Sequence, residues 1–177
     1  MHSDARGFTL IELVVLILVL GLALTGVTLV INHVVEQSPK ALVQTRAMEL
    51  AQSYLEEILQ KRFDETTGQG GIPRCDSTDT NAVACSNTLG PDALGAGTEA
   101  RQQFDDVDDY NGVNDQPPVT ATGTAMSNYQ SYRVQVSVSY AGTQLGFSDN
   151  RRAKRITVSV TTPLGNVIPV SAYRVNF

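Results

Sequence analysis

The pattern of polar and apolar positions divides this chain into four stretches. From residue 8 to residue 31 every side chain is apolar, small or a hydroxyl, with the single exception of Glu12. At about 1.5 Å per residue, a helix over 8–31 is roughly 36 Å long, enough to cross a hydrocarbon core about 30 Å thick. Pro39 follows, and its missing N–H and ring predict a kink or interruption near residues 35–38. From 41 to about 63 the period is helical: Ala47, Ala51, Tyr54, Leu55, Ile58 and Leu59 form a stripe, with Glu49, Gln52, Ser53, Glu56, Gln60 and Lys61 mostly off it. Such a stripe calls for a sheet to pack on. Over 64–129 periodicity gives way to Gly, Pro and polar residues, which predicts a long surface connection with little regular structure. The C-terminal part alternates. In 132–140, Tyr132, Val134, Val136, Val138 and Tyr140 share one face; 155–161 alternates again; and 167–175 forms a third strand that Pro169 places at an edge or bulge. The expected class is α+β, a long N-terminal helix with a membrane-spanning half and an amphipathic half, packed on a small antiparallel sheet within 130–177.

Composition narrows the function. Beyond the apolar helix, the rest of the 177 residues suffices for one small domain. A net charge of -5 disfavours a general nucleic-acid binder. The one basic cluster, Arg151-Arg152-Ala153-Lys154-Arg155, has no interleaved aromatics and reads as a solvated strand entry more than as a phosphate-binding patch. Cys75 and Cys85 lie close together in a polar loop beyond the apolar segment, which suits a disulfide in an oxidising compartment. The two histidines are His2, in the N-terminal stretch, and His33, at the end of the apolar run. Neither can complete a Ser/His/Asp or Cys/His arrangement in the soluble part, so the expectation is a protein that is not an enzyme.

The carboxylate of Glu12 is the anomaly in the apolar run, since an intramembrane acid is functional by default. Gly7 stands immediately before Phe8. A cut between them removes a short polar leader whose only Lys or Arg is Arg6, and leaves a free amine four residues before Glu12. Gly7-Phe8-Thr9-Leu10-Ile11-Glu12 followed by a long apolar helix resembles the N-terminus of type IV prepilins and type II secretion pseudopilins. The resemblance implies that a prepilin peptidase cleaves after Gly7, that Phe8 becomes the N-methylated first residue, and that Glu12 is the assembly glutamate. It further implies a leader over 1–7, a transmembrane and polymerisation helix over 8–38, and a globular head over 39–177. The partners implied are other pilin subunits through the N-terminal helix, the prepilin peptidase, and the assembly machinery of the inner membrane. The leader would be cytoplasmic and the head periplasmic before incorporation into a surface pilus, an orientation with which Arg6 is consistent.

An acid-rich stretch, 104–115, carries the remaining candidate chemistry. Oxygen ligands spaced two apart with a Gly at the turn are what a calcium loop requires, and Asp106, Asp108 and Asn111 before Gly112 are weak candidates. The EF-hand pattern fails at Tyr110 and has no closing Glu, so a solvated acidic turn, pinned to the sheet by Phe104 and Tyr110, is the favoured expectation. The same stretch, Phe-Asp-Asp-Val-Asp-Asp-Tyr-Asn-Gly, is similar to one in the MshD-type minor pilins of mannose-sensitive haemagglutinin pili. The resemblance thus implies a minor pilin acting in pilus biogenesis or adhesion. The alternatives are a type II secretion pseudopilin, a membrane-anchored binding domain that never polymerises, and a DNA-uptake pilin.

Overall fold

The computed structural model describes the backbone of residues 9–177 and the side chains of 9–28 and 40–177. The chain divides into two compact units, Met1–Leu42 and Val43–Phe177, and one helix, α1 (Leu10–Leu59), contributes to both.

In the first unit, Leu10–Thr28 has a mean hydropathy of 2.7 and is long and apolar enough to cross a membrane. Its large side chains, from Leu10 to Val27, are all exposed, the state expected of a helix whose solvent is lipid. The two hydroxyls in this stretch bond back to their own helix, Thr28 Oγ1 to Leu24 O at 2.8 Å and Thr25 Oγ1 to Gly21 O at 2.5 Å. That leaves neither donor facing hydrocarbon unsatisfied. The interruption expected before Pro39 does not occur, because the backbone is helical throughout residues 35–38. A proline removes one backbone donor, and a helix already nucleated on both sides can continue past that single loss.

The second unit places the amphipathic end of α1 on a four-stranded antiparallel sheet. The strands are β3 (Asn114–Asp115), β4 (Arg133–Tyr140), β5 (Ala153–Thr161) and β6 (Val167–Val175), in that spatial order. In β4 the alternation resolves as expected: Val134, Val136 and Val138 point inward opposite Val160, Val158 and Ile156 of β5. These residues meet Ala47, Leu50, Ala51, Tyr54, Leu55 and Ile58 of α1 in a single core. β6 is an outer strand, so Pro169, opposite Ser159, sits where a missing N–H is tolerated.

The stretch 64–129 is more structured than its composition implies. It holds β3, which closes the other edge of the sheet, and a small hairpin of β1 (Ala93–Leu94) and β2 (Gly97–Thr98). Strands of two residues are too short to show a period. The helix ends at Leu59 and not near 63 because the chain is captured just beyond it. Arg62 N–H donates to Asp105 O, and Val107 N–H donates to Arg62 O. Phe63 then turns into a second cluster with Cys75, Cys85 and Tyr140.

Candidate functional site

Sequence places the functional candidates at the start of α1, and of these Gly7 and Phe8 lie outside the described residues. Thr9 is the N-cap of the helix: its Oγ1 accepts the Glu12 N–H at 3.4 Å and its carbonyl accepts the Leu13 N–H at 3.2 Å. Glu12 therefore stands at the third helical position, in a Thr-x-x-Glu capping-box sequence, and is the one acid of the first turn. Thr9 was not singled out from sequence, although a hydroxyl three residues before a Glu at the head of an apolar run is the signal for it. A carboxylate there also faces the positive end of the helix dipole. It is exposed, as are Leu10 and Ile11 beside it.

The acid-rich stretch is not a solvated turn. Asp106, Asp108 and Asp109 are all buried, as are Phe104 and Tyr110, which join the main core. Asp106 Oδ1 accepts the N–H of Asp108 at 2.6 Å and of Asp109 at 3.2 Å, while Asp109 Oδ2 accepts those of Asp105 and Asp106. Burial and the charges of Asp108 and Asp109 push the Asp106 carboxyl up to about 8. Tyr110 Oη donates to Glu57 Oε1 at 2.7 Å, so the turn is tied to the helix as well as to the core. The guanidinium of Arg101 lies 4.5 Å over the Tyr110 ring and pairs with the same Glu57 at 3.1 Å.

The calcium triplet read from spacing is not brought together as a ligand set. Asn111 is engaged at both ends of its amide: Nδ2 donates to Leu89 O at 3.0 Å and Oδ1 accepts the Val138 N–H at 2.9 Å. Asp108 instead faces Lys154, with Nζ 2.5 Å from Oδ1. Spacing along the chain cannot anticipate this, because the turn that carries the three residues directs each side chain to a different neighbour.

Lys154, in the basic cluster, is not a solvated strand entry either. It is fully buried, donates to the Phe63 carbonyl at 2.6 Å and to Asp64 Oδ2 at 3.1 Å, and lies 4.3 Å from the centre of the Phe63 ring. Burial pushes the Asp64 carboxyl up, but the Lys154 ammonium and hydrogen bonds from Thr66 and Ser86 outweigh it and hold the group at about 2. Burial also raises Asp108, against the pull of Lys154, to about 6. Arg151 clamps the cysteine loop, with Nε donating to Asp76 Oδ2 at 2.7 Å, Nη1 to Asn87 Oδ1 at 2.8 Å and Nη2 to the Cys85 carbonyl. The cluster read as a solvated strand entry thus has Arg151 and Lys154 paired with carboxylates of the head, and Arg152 lies 5.7 Å from the centre of the Phe147 ring.

Cys75 and Cys85 form a disulfide with Cα atoms 4.8 Å apart, both half-cystines being buried, and Asn176 Nδ2 donates to the Cys75 carbonyl at 2.8 Å. Asp64 lies beside these sulfurs, but bonded cysteines offer no thiolate to a metal. Among the described residues two all-carboxylate groups remain, Glu65 with Asp92 and Asp106, and Asp92 with Glu99 and Asp109.

Compared with known proteins, residues 2–28 match the family model of the prokaryotic N-terminal methylation motif. No curated protein and no solved structure matches the chain. The motif covers the leader, Gly7, Phe8, Glu12 and the apolar helix down to Thr28, and it supports a type IV pilin or pseudopilin that is anchored in a membrane and processed by a prepilin peptidase.

Proposed function

We propose that this chain is a minor pilin of a type IV pilus of the mannose-sensitive haemagglutinin kind, a structural subunit acting in pilus biogenesis or adhesion and not a catalyst. Cleavage after Gly7 exposes Phe8 for methylation, and the apolar half of α1 holds the subunit in the inner membrane with the head in the periplasm. Release into a filament then exchanges lipid around the exposed residues 10–27 for the helices of other subunits. The observation that carries this reading is the methylation motif over residues 2–28, leading directly into an apolar helix and then a disulfide-bonded α+β head.

The mature N-terminus tests it. Mass spectrometry of protein from the envelope is expected to find N-methylated Phe8 as the first residue, and a Gly7→Leu variant is expected to remain as uncleaved precursor. An intact Met1 in wild-type protein from cells with an active prepilin peptidase would refute the processing step. Sheared surface filaments containing the chain would place it in a pilus, whereas retention in the envelope with loss of protein secretion on deletion would make it a secretion pseudopilin.

A further inference from the structure

A cavity of about 330 Å³ lies where the chain leaves α1, between residues 60–71 and the end of β6. Its charged lining is Lys61, Arg62 and Arg174, and among the described residues no Asp or Glu lines it. The chain as a whole carries a net charge of -5, so an acid-free cleft with three cations runs against the composition. A cleft lined by one sign of charge concentrates ions of the other.

The three cations are unequally satisfied. Arg62 pairs with Glu65 and Asp105. Lys61 Nζ donates to Phe104 O at 2.6 Å, yet among the described residues it pairs with no acid. Arg174 is half-buried, and its side chain has neither an ion pair nor a hydrogen bond among the described residues, although Nε is buried. A buried donor without an acceptor is costly. The residue opposite Arg174 in β5 is Lys154, a second cation, whose acids Asp64 and Asp108 do not pair with Arg174. Like charges directly opposite destabilise a sheet.

Thr67 lines the same cavity and shows the same want of a partner. It is 2% exposed, its N–H donates to Asp64 O at 2.8 Å and its carbonyl accepts Arg62 Nη1 at 3.2 Å, but its buried Oγ1 has no hydrogen-bond partner. The partner that a guanidinium and a hydroxyl can share is an anionic oxygen.

We infer that this cavity is a binding site for a small organic carboxylate, with Arg174 as its main anchor, Thr67 as a hydroxyl donor and Lys61 as a second source of positive charge. The planar fork of a guanidinium matches a carboxylate with two parallel hydrogen bonds. Phe63, Val175 and Phe177 add apolar lining for the organic part, which an inorganic anion lacks. Gly70 and Gly71, at φ 78° and 88°, carry no side chain into the opening, and a Cβ at either would meet nothing within 4 Å. The volume lies at the lower end of the roughly 300–1,000 Å³ of ligand pockets, which limits the occupant to a small molecule. The site goes beyond the pilin reading and stands whether or not the chain polymerises.

The test is fluorine NMR titration of para-fluorophenylacetate with the full chain purified in detergent, against a detergent-only blank. The neutral para-fluorophenylacetamide and inorganic phosphate, the latter as competitor, are run in parallel. Saturable binding is expected with a Kd on the order of 10⁻³ M, at least about tenfold tighter than for the amide or phosphate. Arg174→Gln is expected to weaken it about tenfold or more, and Thr67→Val about threefold. Arg133→Gln removes an exposed arginine of β4 that bonds to Gln116, and is expected to leave binding within about twofold of wild type. Should Arg174→Gln fail to fold, Thr67→Val decides alone, because it removes only a hydroxyl without a partner. Absence of saturable binding, equal affinity for the amide or phosphate, unchanged binding in Thr67→Val or in folded Arg174→Gln, or equal weakening by Arg133→Gln would each overturn the assignment.

Discussion

The ammonium of Lys154 lies 2.5 Å from Asp108 and 3.1 Å from Asp64, and none of the three side chains is more than 4% exposed. Two carboxylates, one following the helix and one in the acidic turn, are thereby joined to the start of β5, with the Phe63 and Tyr140 rings closing over the cation. Removing the lysine alone leaves two acids in an apolar site. Lys154→Met is therefore expected to destabilise the head by about 3–5 kcal/mol, a large part of a typical total of 5–15. Urea denaturation followed by near-ultraviolet circular dichroism measures it. Adding Asp64→Asn and Asp108→Asn to that variant should recover much of the loss, and no recovery would mean that packing of the lysine stem carries the effect.

Asp64 ties this cluster to acid stability. Its carboxyl is lowered from 3.8 to about 2, so the unfolded chain binds its proton at a higher pH than the folded one. The stability it contributes is fully present above about pH 4 and is lost as pH falls towards 2. The shift corresponds to about 2 kcal/mol. Between pH 5 and pH 2 the wild-type head should lose that increment more than Asp64→Asn does, read as the difference in urea midpoints. Parallel midpoint curves would show that Asp64 is not the group responsible.

The disulfide offers a third measurement. Cys75 and Cys85 are 10 residues apart in sequence, and a loop of that size restricts the unfolded chain by about 2–3 kcal/mol. Paired Cys75→Ser and Cys85→Ser substitutions should lower stability by that amount, with a further loss because Arg151 and Asn176 both bond to the loop the bridge holds. Peptide mapping without reductant should recover the Cys75–Cys85 cross-link from envelope protein.

What sequence could and could not disclose follows from the range of the interactions concerned. The alternation in β4 was readable because one face meets the core and the other meets water, so each residue reports its own side. Lys154 was not readable, because its partner Asp64 is 90 residues away and its neighbours Arg152 and Arg155 remain at the surface. The same holds for the acidic turn, where charge density implies solvation and only the burial of Phe104 and Tyr110 draws the backbone inward. At the candidate site, Glu12 stood out because a single acid in an apolar run contradicts its surroundings. The capping role of Thr9 was written in Thr-x-x-Glu and passed over. Thr67 and Arg174 gave no signal of their own, since only the fold sets the end of β6 beside the loop that follows α1.

Glu12 carries the last prediction, which rests on the cost of a lone carboxylate in hydrocarbon. Insertion scales put that cost at about 2.5–3.5 kcal/mol at a helix centre, and the position in the first turn reduces it. The Thr9 cap satisfies the backbone N–H of Glu12, leaving its exposed side chain available to a partner outside the helix. Cleavage after Gly7 would leave at Phe8 an amine of the right charge, and a charge-assisted bond between the two in low dielectric would be stronger than one in water. Made between two helices, it would fix the axial register of an incoming subunit against its neighbour, because a shift of one turn moves the charges about 5.4 Å apart. The core of the head contains no residue of the first turn, so folding does not depend on this contact. Glu12→Ala is accordingly expected to insert, lose its leader and form its disulfide like wild type, yet to be depleted from filaments by about tenfold, the equivalent of about 1.4 kcal/mol in docking. Quantitative immunoblotting of sheared filaments against whole envelopes gives the ratio; a wild-type ratio would exclude Glu12 from assembly.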